Sequence, residues 1–183
     1  MATELDLVNR SLVEIASRQP ITSLSDNVQG VYASTIYQAA LNMLLRQEDF
    51  EFCRTEVVLT PVAGTPALNW TYQYAYPSDC QRVRQVVPET WDQYDPQPVR
   101  WDVGNFVNGD VTQTVIWTGT ASASLVYSSN NVTVDQMDAG FQEQLVRYMG
   151  SILSMSNAGR PDFAQKLLEQ AGGIGQAMKD RDS

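Results

Sequence analysis

The sequence predicts an α+β fold in which helices from the two ends of the chain form an antiparallel bundle and an antiparallel β domain is inserted between them. Apolar residues recur every three or four positions in the first part of the chain, follow a strand pattern from Glu56, and return to helical spacing at Asp135. Periods of about 3.6 and 2 are typical of amphipathic helices and half-buried strands. Because helices and strands are grouped along the chain, we expect N-terminal helices in residues 1–55, a β domain in 56–132 and C-terminal helices in 133–183.

The first helix is predicted from Thr3 to Arg18. Its apolar residues fall on one helical face, at Leu5, Val8, Leu12, Ile15 and Ala16. Thr3 with Asp6 three positions later is typical of a capping box. Pro20 cannot continue the helix, so we expect the helix to end before that residue.

The second helix is predicted to begin at Ser25 or Asp26, which are both good N-cap residues, and to run to about Arg46. One side of this helix carries Val28, Tyr32, Thr35, Ile36, Ala39, Met43 and Leu44. We expect the chain to turn through Gln47–Phe52 and to enter the β domain there.

Strand periodicity then replaces helical periodicity. Apolar runs bounded by Pro or Gly predict strands at Val57–Leu59, Trp70–Tyr76, Gln81–Val87, Gln113–Thr118 and Ser122–Ser128. The Pro- and Asp-rich stretch Glu89–Gly109 is expected to be a long loop with one or two short strands around 99–107. In the last strand serines alternate with Ala123, Leu125 and Tyr127, so we expect it to have one solvent-exposed face.

Two helices are predicted after the strands. The first begins at Asp135 and carries an apolar stripe at Met137, Phe141, Leu145, Tyr148, Met149 and Ile152. Pro161 suits the first turn of the last helix. Gly172, Gly173 and Gly175 each weaken that helix by about 1 kcal/mol relative to alanine, so we expect its end to fray or bend.

Charge and composition argue against nucleic-acid binding and catalysis. The formal net charge is -9, from 12 basic and 21 acidic residues, and no cluster of basic residues is visible that could bind DNA or a membrane. The chain has no histidine, which removes the commonest general base and most zinc sites. We therefore predict a protein that is not an enzyme and has no catalytic, cofactor or metal site. The start of the chain lacks the features of a signal peptide, so we expect a cytosol-like compartment.

Three local patterns leave chemical alternatives beside the structural ones. Cys53 and Cys80 are predicted to be inert, partly buried thiols, because no general base is present to activate Cys53 next to Arg54. The glycine-rich segment Gly172–Gly175 lacks the strand that precedes a phosphate loop, so fraying or ordering on a partner is expected there. A carboxylate pair for glycoside hydrolysis stays open among the acidic residues of the middle of the chain, at Glu89, Asp92, Asp95, Asp102 and Asp110, although a solvated loop is favoured.

Four segments carry a family resemblance in the order of the chain. Leu7–Leu24 looks like an opening helix followed by a Pro-Ile/Val-x-Ser-Leu turn, with Ala16-Ser17-Arg18 where a glycine is common. Ala40–Cys53 looks like the second helix and its exit, with Phe50 in place of the usual tryptophan. Tyr74–Val83 is similar to the strand–turn–strand that follows, with a shorter gap before its proline, and Leu125–Tyr127 is similar to the passage into the closing helices. Together these segments resemble the head-to-tail adaptors of tailed bacteriophages, the tail tubular protein A family.

The resemblance implies a structural virion protein that is assembled in the cytoplasm of a bacterial host and lies at the junction between head and tail. Such adaptors form a ring, expected here to contain twelve copies, between the portal protein and the tail nozzle (tail tubular protein B). Double-stranded DNA passes through the lumen of the ring without specific binding, and an acidic wall would let phosphate slide past it.

The resemblance also implies which parts of the chain meet each partner. The C-terminal segment of such adaptors tends to meet the portal, which predicts a portal interface at Lys166, Leu168, Gln170, Gly172, Gly173, Ile174, Met178 and Lys179. Their β part tends to meet the tail, which predicts a tail-side interface at Glu89, Trp91, Asp92, Tyr94, Asp95, Asn105 and Asn108.

Two other functions stay open at this stage. A tail-completion or tail-terminator ring would bind tail-tube proteins in place of the portal. A virion-associated cell-wall hydrolase would use carboxylates that the fold brings together.

Overall fold

The computed structural model describes residues 2–15, 20–25, 28–67, 69–88, 99–157 and 161–179, apart from the side chains of residues 29, 156, 157, 178 and 179. Over these residues the chain is a mixed α/β protein with four α-helices and two antiparallel three-stranded sheets. It divides into two compact units, one made of Met1–Glu48 with Val132–Ser183 and the other of Asp49–Asn131. The first is called the helical unit and the second the β unit.

The helical unit contains α1 (Glu4–Glu14), α2 (Val28–Gln47), α3 (Ala139–Asn157) and α4 (Pro161–Lys179). Helix α3 packs against each of the other three helices. The core of the unit is apolar and includes Leu7, Leu12, Leu41, Leu45, Phe141, Leu145, Met149 and Leu167, all buried. Burial of each such side chain contributes about 1.5–3 kcal/mol to the stability of the unit.

The capping box predicted for α1 is confirmed. The Asp6 N–H donates to the Thr3 hydroxyl oxygen at 3.2 Å, and the Thr3 N–H donates to the Asp6 carboxylate at 2.8 Å. The hydrogen bonds from Thr3 hold the pKa of Asp6 below its usual value. The helix ends at Glu14, earlier than the predicted Arg18, and residues 16–19 lie outside the described part of the chain.

The predicted start of the third helix at Asp135 is wrong. A 3₁₀ turn at Val134–Gln136 precedes the helix, and α3 begins only at Ala139. Asp138 provides the reason, because its carboxylate accepts a hydrogen bond from the Phe141 N–H at 2.8 Å and so caps the first turn.

The predicted fraying of the last helix at its glycines is also wrong, because α4 begins at Pro161 as expected but continues through all three to Lys179. A Cβ atom at Gly175 would lie 2.7 Å from the Gln144 amide nitrogen on α3 and 3.3 Å from the Glu48 carboxylate. Gly175 therefore permits a close contact within the helical unit, and this packing overrides the low helix propensity of glycine.

The β unit contains β1 (Arg54–Val58), β2 (Tyr72–Ala75), β3 (Cys80–Pro88), β4 (Trp101–Asn108), β5 (Val111–Thr118) and β6 (Ala123–Ser129). The strands form two antiparallel sheets, with the orders β1-β6-β3 and β2-β5-β4. Buried residues from both sheets form one apolar cluster, which comprises Leu59, Tyr74, Cys80, Val86, Ile116, Ala123, Leu125 and Tyr127. The shared cluster makes this unit a small two-layered sandwich.

Strand β6 does not have the solvent-exposed face that its alternating serines predicted. It is the central strand of its sheet, and every residue from Leu125 to Ser129 is buried. The two buried serines are satisfied, since Ser128 accepts a hydrogen bond from Arg84 at 3.0 Å and Ser129 donates to Asp79 at 2.6 Å. Serine can therefore occupy a buried strand where charged side chains form hydrogen bonds with its hydroxyl group.

The region expected to be a loop with short strands contains one full strand, β4, which pairs with β5 along its whole length. Gly104 makes the packing of β4 possible, because a Cβ atom there would lie 2.3 Å from the Trp117 ring. Residues 89–98, the rest of that region, lie outside the described part of the chain.

Candidate functional site

Helix α2 is apolar on two opposite faces. One face is buried and consists of Ala33, Ile36, Tyr37, Ala40, Leu41, Leu44 and Leu45. The other face exposes Val28 (86%), Val31 (53%), Tyr32 and Met43. The sequence placed seven residues on one apolar side of this helix, and the structure divides them between the two faces. Ile36 and Leu44 belong to the buried face, and the other five are exposed: Val28, Tyr32, Thr35, Ala39 and Met43. Sequence periodicity could not distinguish the faces because both are apolar.

The exposed residues Val28, Val31, Tyr32, Thr35, Ala39 and Met43 are here called the α2 outer face. No acidic residue occurs in α2, and Arg46 is its only basic residue. A surface helix normally carries charged or polar residues opposite its buried stripe. An uncharged apolar face on a helix of 20 residues is therefore a candidate protein-interaction surface.

A groove runs beside the α2 outer face. It is shallow and open to solvent, has a volume of about 500 Å³, and is lined by Leu24, Ser25, Val31, Ser34, Thr35 and Gln38. Asn9 holds one wall in place, because its side-chain amide forms two hydrogen bonds, of 3.0 and 2.8 Å, with the backbone of Ile21. Gly30 allows this wall to lie directly on α2, since a Cβ atom there would be 2.3 Å from the Ser23 carbonyl oxygen.

The second candidate surface is the end of the β4–β5 hairpin. Strand β2 pairs with β5 only from Val115 to Thr118, so among the described residues no third strand covers the segment Asn105–Thr114, and only the Tyr76 N–H, just after β2, reaches its last carbonyl, that of Thr114. This segment is here called the distal ribbon. It exposes Val107 (63%) and Val111 (62%). Its two-residue turn begins at Gly109 with a φ of +62°, a conformation that favours glycine in a tight hairpin.

The predicted tail-side residues are placed only in part. Asn105 and Asn108 are exposed on the distal ribbon, and the Asn105 amide oxygen accepts a hydrogen bond from the Thr114 hydroxyl at 3.2 Å. The other five, Glu89, Trp91, Asp92, Tyr94 and Asp95, lie outside the described residues. The sequence did not single out Val107 and Val111 beside them, although their alternation around an Asn-Gly-Asp turn was a usable hairpin signal.

The predicted portal-side residues lie along α4 but do not share one face. Lys166, Leu168, Gln170, Gly172 and Gly173 are exposed, whereas Ile174 is half-buried. Steps of two residues on a helix turn through more than half a circle, so Leu168 and Gly172 lie on a different side from Lys166 and Gln170. Helix α4 includes Met178 and Lys179, whose side chains are outside the described residues.

Gln170 takes part in a polar cluster between three helices. Arg147 on α3 donates to the Gln170 amide oxygen at 2.6 Å and to Glu143 at 2.8 Å, and its guanidinium lies 3.8 Å from Glu14 on α1. Arg10 on α1 binds Glu143 at 2.5 Å. These contacts give Gln170 a role within the helical unit besides any contact with a partner.

Arg84 anchors the start of the β unit. Its side chain is only 9% exposed and donates to the Phe50 carbonyl oxygen, to Ser128 and to Glu51, and it lies 3.5 Å from Asp49. Cys53 also contacts Arg84, at 3.5 Å, and donates its thiol to the Phe50 carbonyl oxygen at 3.1 Å. The chain from Asp49 to Cys53 is therefore fixed by one buried guanidinium.

The two cysteines are free and buried, as predicted for inert thiols. Burial raises the pKa of the Cys80 thiol, which disfavours the reactive thiolate. Asp79 beside it accepts hydrogen bonds from Tyr127 and Ser129. These groups hold the start of β3 to the end of β6 and offer no exposed nucleophile.

No group of three or more Cys, Asp or Glu side chains that could hold a metal ion occurs within the described residues. Among the helices described, none has both the length and the apolar character needed to cross a membrane. No protein-family model matches this chain, and no curated protein shows a significant match to its sequence.

Proposed function

We propose that this chain is a structural subunit of a tailed-phage virion, a head-to-tail adaptor that forms a ring between the portal and the tail nozzle. The family resemblance of Leu7–Leu24, Ala40–Cys53 and Tyr74–Val83 supports the proposal. The observation that carries it is the distal ribbon, an exposed two-stranded element whose two valines have no cover among the described residues.

A ribbon of this kind favours a protein partner. A two-stranded ribbon is marginally stable alone. On this ribbon the half-buried Phe106 ring lies close to Gly64, but Val107 and Val111 are exposed, so a partner that covers them would stabilise the ribbon. Burial of Val107 and Val111 would contribute about 1.5–3 kcal/mol each. Asp110 is the only charged residue between Val103 and Thr118, and a partner that covers this stretch therefore need not be highly charged.

In the proposed arrangement the four helices form an antiparallel bundle with the β unit as its insertion. The exposed part of α4 faces the portal, and the distal ribbon with Asn105 and Asn108 faces the tail nozzle. Double-stranded DNA passes through the ring without specific binding, which agrees with the net charge of -9. In the proposed ring this chain has a mechanical role and no catalytic one.

Electron microscopy of the chain co-expressed with the portal and nozzle proteins of the same genome tests this proposal. We expect an added layer with the symmetry of the portal on the end away from the head, and nozzle density beyond it. A bare portal with this chain still monomeric would overturn the adaptor role. Binding to tail-tube proteins without the portal would indicate a tail-completion ring.

A pair of variants tests the tail-side assignment. Val107→Asp with Val111→Asp should abolish nozzle density and keep the layer on the portal, because only the distal ribbon changes. Val58→Asp is the control, since Val58 is a strand valine of the β unit outside the ribbon and, at 74%, is at least as exposed as the two ribbon valines. Loss of the nozzle in both variants, or in neither, would refute the assignment.

A further inference from the structure

The turn of the distal ribbon contains the one Asn-Gly pair of the sequence, Asn108–Gly109. Asn108 is the last paired residue of β4, opposite Val111, and Gly109 begins the turn. The Asn108 side chain is exposed and forms no hydrogen bond with any described residue. By contrast, the amide oxygen of Asn105 in the same strand accepts a hydrogen bond from Thr114. The Asn108 amide can therefore rotate freely.

The end of the ribbon is open to solvent on both of its faces. Every residue from Val107 to Thr112 is exposed. A Cβ atom at Gly109 would meet no other atom within 4 Å, so no described segment lies against the turn. Backbone with so few buried contacts opens locally at little cost in free energy. We therefore expect the terminal pair of the ladder, Asn108 with Val111, to open often.

An asparagine that precedes glycine can react with its own backbone. The peptide nitrogen of Gly109 loses its proton to base and attacks the side-chain carbonyl carbon of Asn108. A C–N bond forms, the bond to the amide nitrogen breaks, and that nitrogen takes up protons and leaves as ammonia. Water then opens the cyclic succinimide at either of its two carbonyl groups, which gives aspartate or isoaspartate at position 108. Glycine favours the attack because no side chain obstructs its nitrogen.

The folded ribbon controls this reaction through one backbone angle. In an extended strand the Gly109 nitrogen does not face the side-chain carbonyl carbon of Asn108, so ring closure requires rotation about the Cα–C bond of Asn108. That rotation breaks the pairing with Val111 and leaves the earlier pairs of the ladder intact. Local opening of the ribbon end is therefore sufficient, and global unfolding is not required.

We propose that Asn108 is a site of spontaneous deamidation in the folded chain, with water as the co-reactant, and that the isoaspartate product disrupts the distal ribbon. Isoaspartate adds a methylene group to the backbone, so the two-residue connection no longer fits the pairing of β4 with β5. Either product also places a second negative charge beside Asp110. The proposal does not rest on the adaptor role, because the reaction needs only the ribbon and water.

Peptide mapping by mass spectrometry tests the site. The chain is incubated in mildly alkaline buffer, once in its native state and once in guanidinium chloride. In the native chain we expect the mass gain of deamidation at Asn108 before any other asparagine, at a rate that rises in proportion to hydroxide concentration. Asn105 is the internal control, since it lies in the same strand but precedes the bulky Phe106.

The ratio of the two rates tests whether local opening is sufficient. The native rate should lie within about tenfold of the denatured rate, because a fraying ribbon end opens at almost no cost in free energy. A reaction that needed global unfolding would be slower by about a thousandfold or more. A native rate more than tenfold below the denatured one, or earlier conversion at another asparagine, overturns the proposal.

Two variants at the same position separate the chemistry from its consequences. Asn108→Gln keeps the amide but must close a larger ring, so the acidic product should disappear. Asn108→Asp adds the charge without the methylene group, and in NMR spectra it should keep the strand-type chemical shifts of Val107 and Val111. The isoaspartate form, isolated by ion exchange, should lose those shifts. Acidic product at position 108 in Asn108→Gln, or strand-type shifts in the isoaspartate form, would refute the proposal and leave the test for a ring on the portal unaffected.

Discussion

Two glycine-to-alanine substitutions in the helical unit should change stability in opposite directions. Gly30 lies in α2 against the backbone of the 20–25 segment, and Gly172 lies in α4 with no atom within 4 Å of a Cβ position. Alanine has the higher helix propensity by about 1 kcal/mol at either position. The difference between the two variants therefore isolates the contact at Gly30.

The magnitude follows from the distances at Gly30. A Cβ atom there would lie 2.3 Å from the Ser23 carbonyl oxygen and 3.0 Å from the Leu24 carbonyl carbon, so the backbone of this segment must move by about 1 Å. The two hydrogen bonds between Asn9 and Ile21 oppose that movement. Overpacking of this kind costs about 1–3 kcal/mol. The gain in helix propensity offsets about 1 kcal/mol of that cost, so we expect Gly30→Ala to lower the free energy of unfolding by about 1 kcal/mol and Gly172→Ala to raise it by about 1 kcal/mol.

Urea denaturation followed by circular dichroism at a helical wavelength measures both effects. With a slope of about 2 kcal/mol per molar urea, the midpoint of Gly30→Ala should fall and that of Gly172→Ala should rise by about 0.5 M each. Equal midpoints for the two variants would refute the reasoning, because they would mean that the 20–25 segment does not lie against α2. Both glycines belong to the same unit, so one transition reports on both.

Three further predictions concern the β unit. Arg84→Met should lower the free energy of unfolding by about 2–3 kcal/mol because it leaves buried hydrogen-bond partners unsatisfied, whereas Arg54→Met, at an exposed ion pair, should change it by less than about 0.5 kcal/mol. Burial, together with the Asp79 carboxylate, raises the pKa of Tyr127 to about 12, above the unfolded value of about 10. The stabilisation from this tyrosine is therefore complete below pH 10 and is lost between about pH 10 and 12, and Tyr127→Phe should flatten the fall in urea midpoint over that range. Cys53 and Cys80 should react with a coloured thiol reagent only after the β unit unfolds.

For each of the three predictions on the β unit, one result would contradict the physical reason given. Equal losses for the two arginine variants would mean that the buried contacts of Arg84 contribute nothing. An unchanged pH profile in Tyr127→Phe would show that other groups set the alkaline limit. Rapid thiol reaction in the absence of urea would show that the cysteines are accessible in the folded chain.

The elements that could be predicted were those set by neighbours in the sequence. The capping box needs only Thr3 and Asp6 three residues apart, and Pro161 marks the start of α4 because its ring suits a first helical turn. Five of the six described strands were predicted in the right order from their apolar runs, with bounds that differ by a few residues, whereas β4 was expected only as short strands in a loop. These features depend on short-range geometry, which the sequence carries directly.

The missed features depend on contacts between distant residues. Serines in β6 are buried because Arg84 and Asp79, more than 40 positions away, supply their partners. The glycines of α4 stay helical, and at Gly175 this close packing involves Gln144 and Glu48 of the same unit. No local pattern records which residue will be opposite another across a core.

For the candidate surfaces too, local features could be read from the sequence, whereas burial and exposure could not. The sequence by itself determined that α2 is a helix with apolar residues and almost no charge, and that the chain has no histidine. Only the tertiary structure decided which apolar face of α2 is buried, because both faces satisfy the same helical period and only one finds α1 and α3 to pack against. It likewise decided that β2 is too short to cover the distal ribbon, which leaves Val107 and Val111 exposed. Burial is a property of the partners that a face meets, and the fold selects those partners.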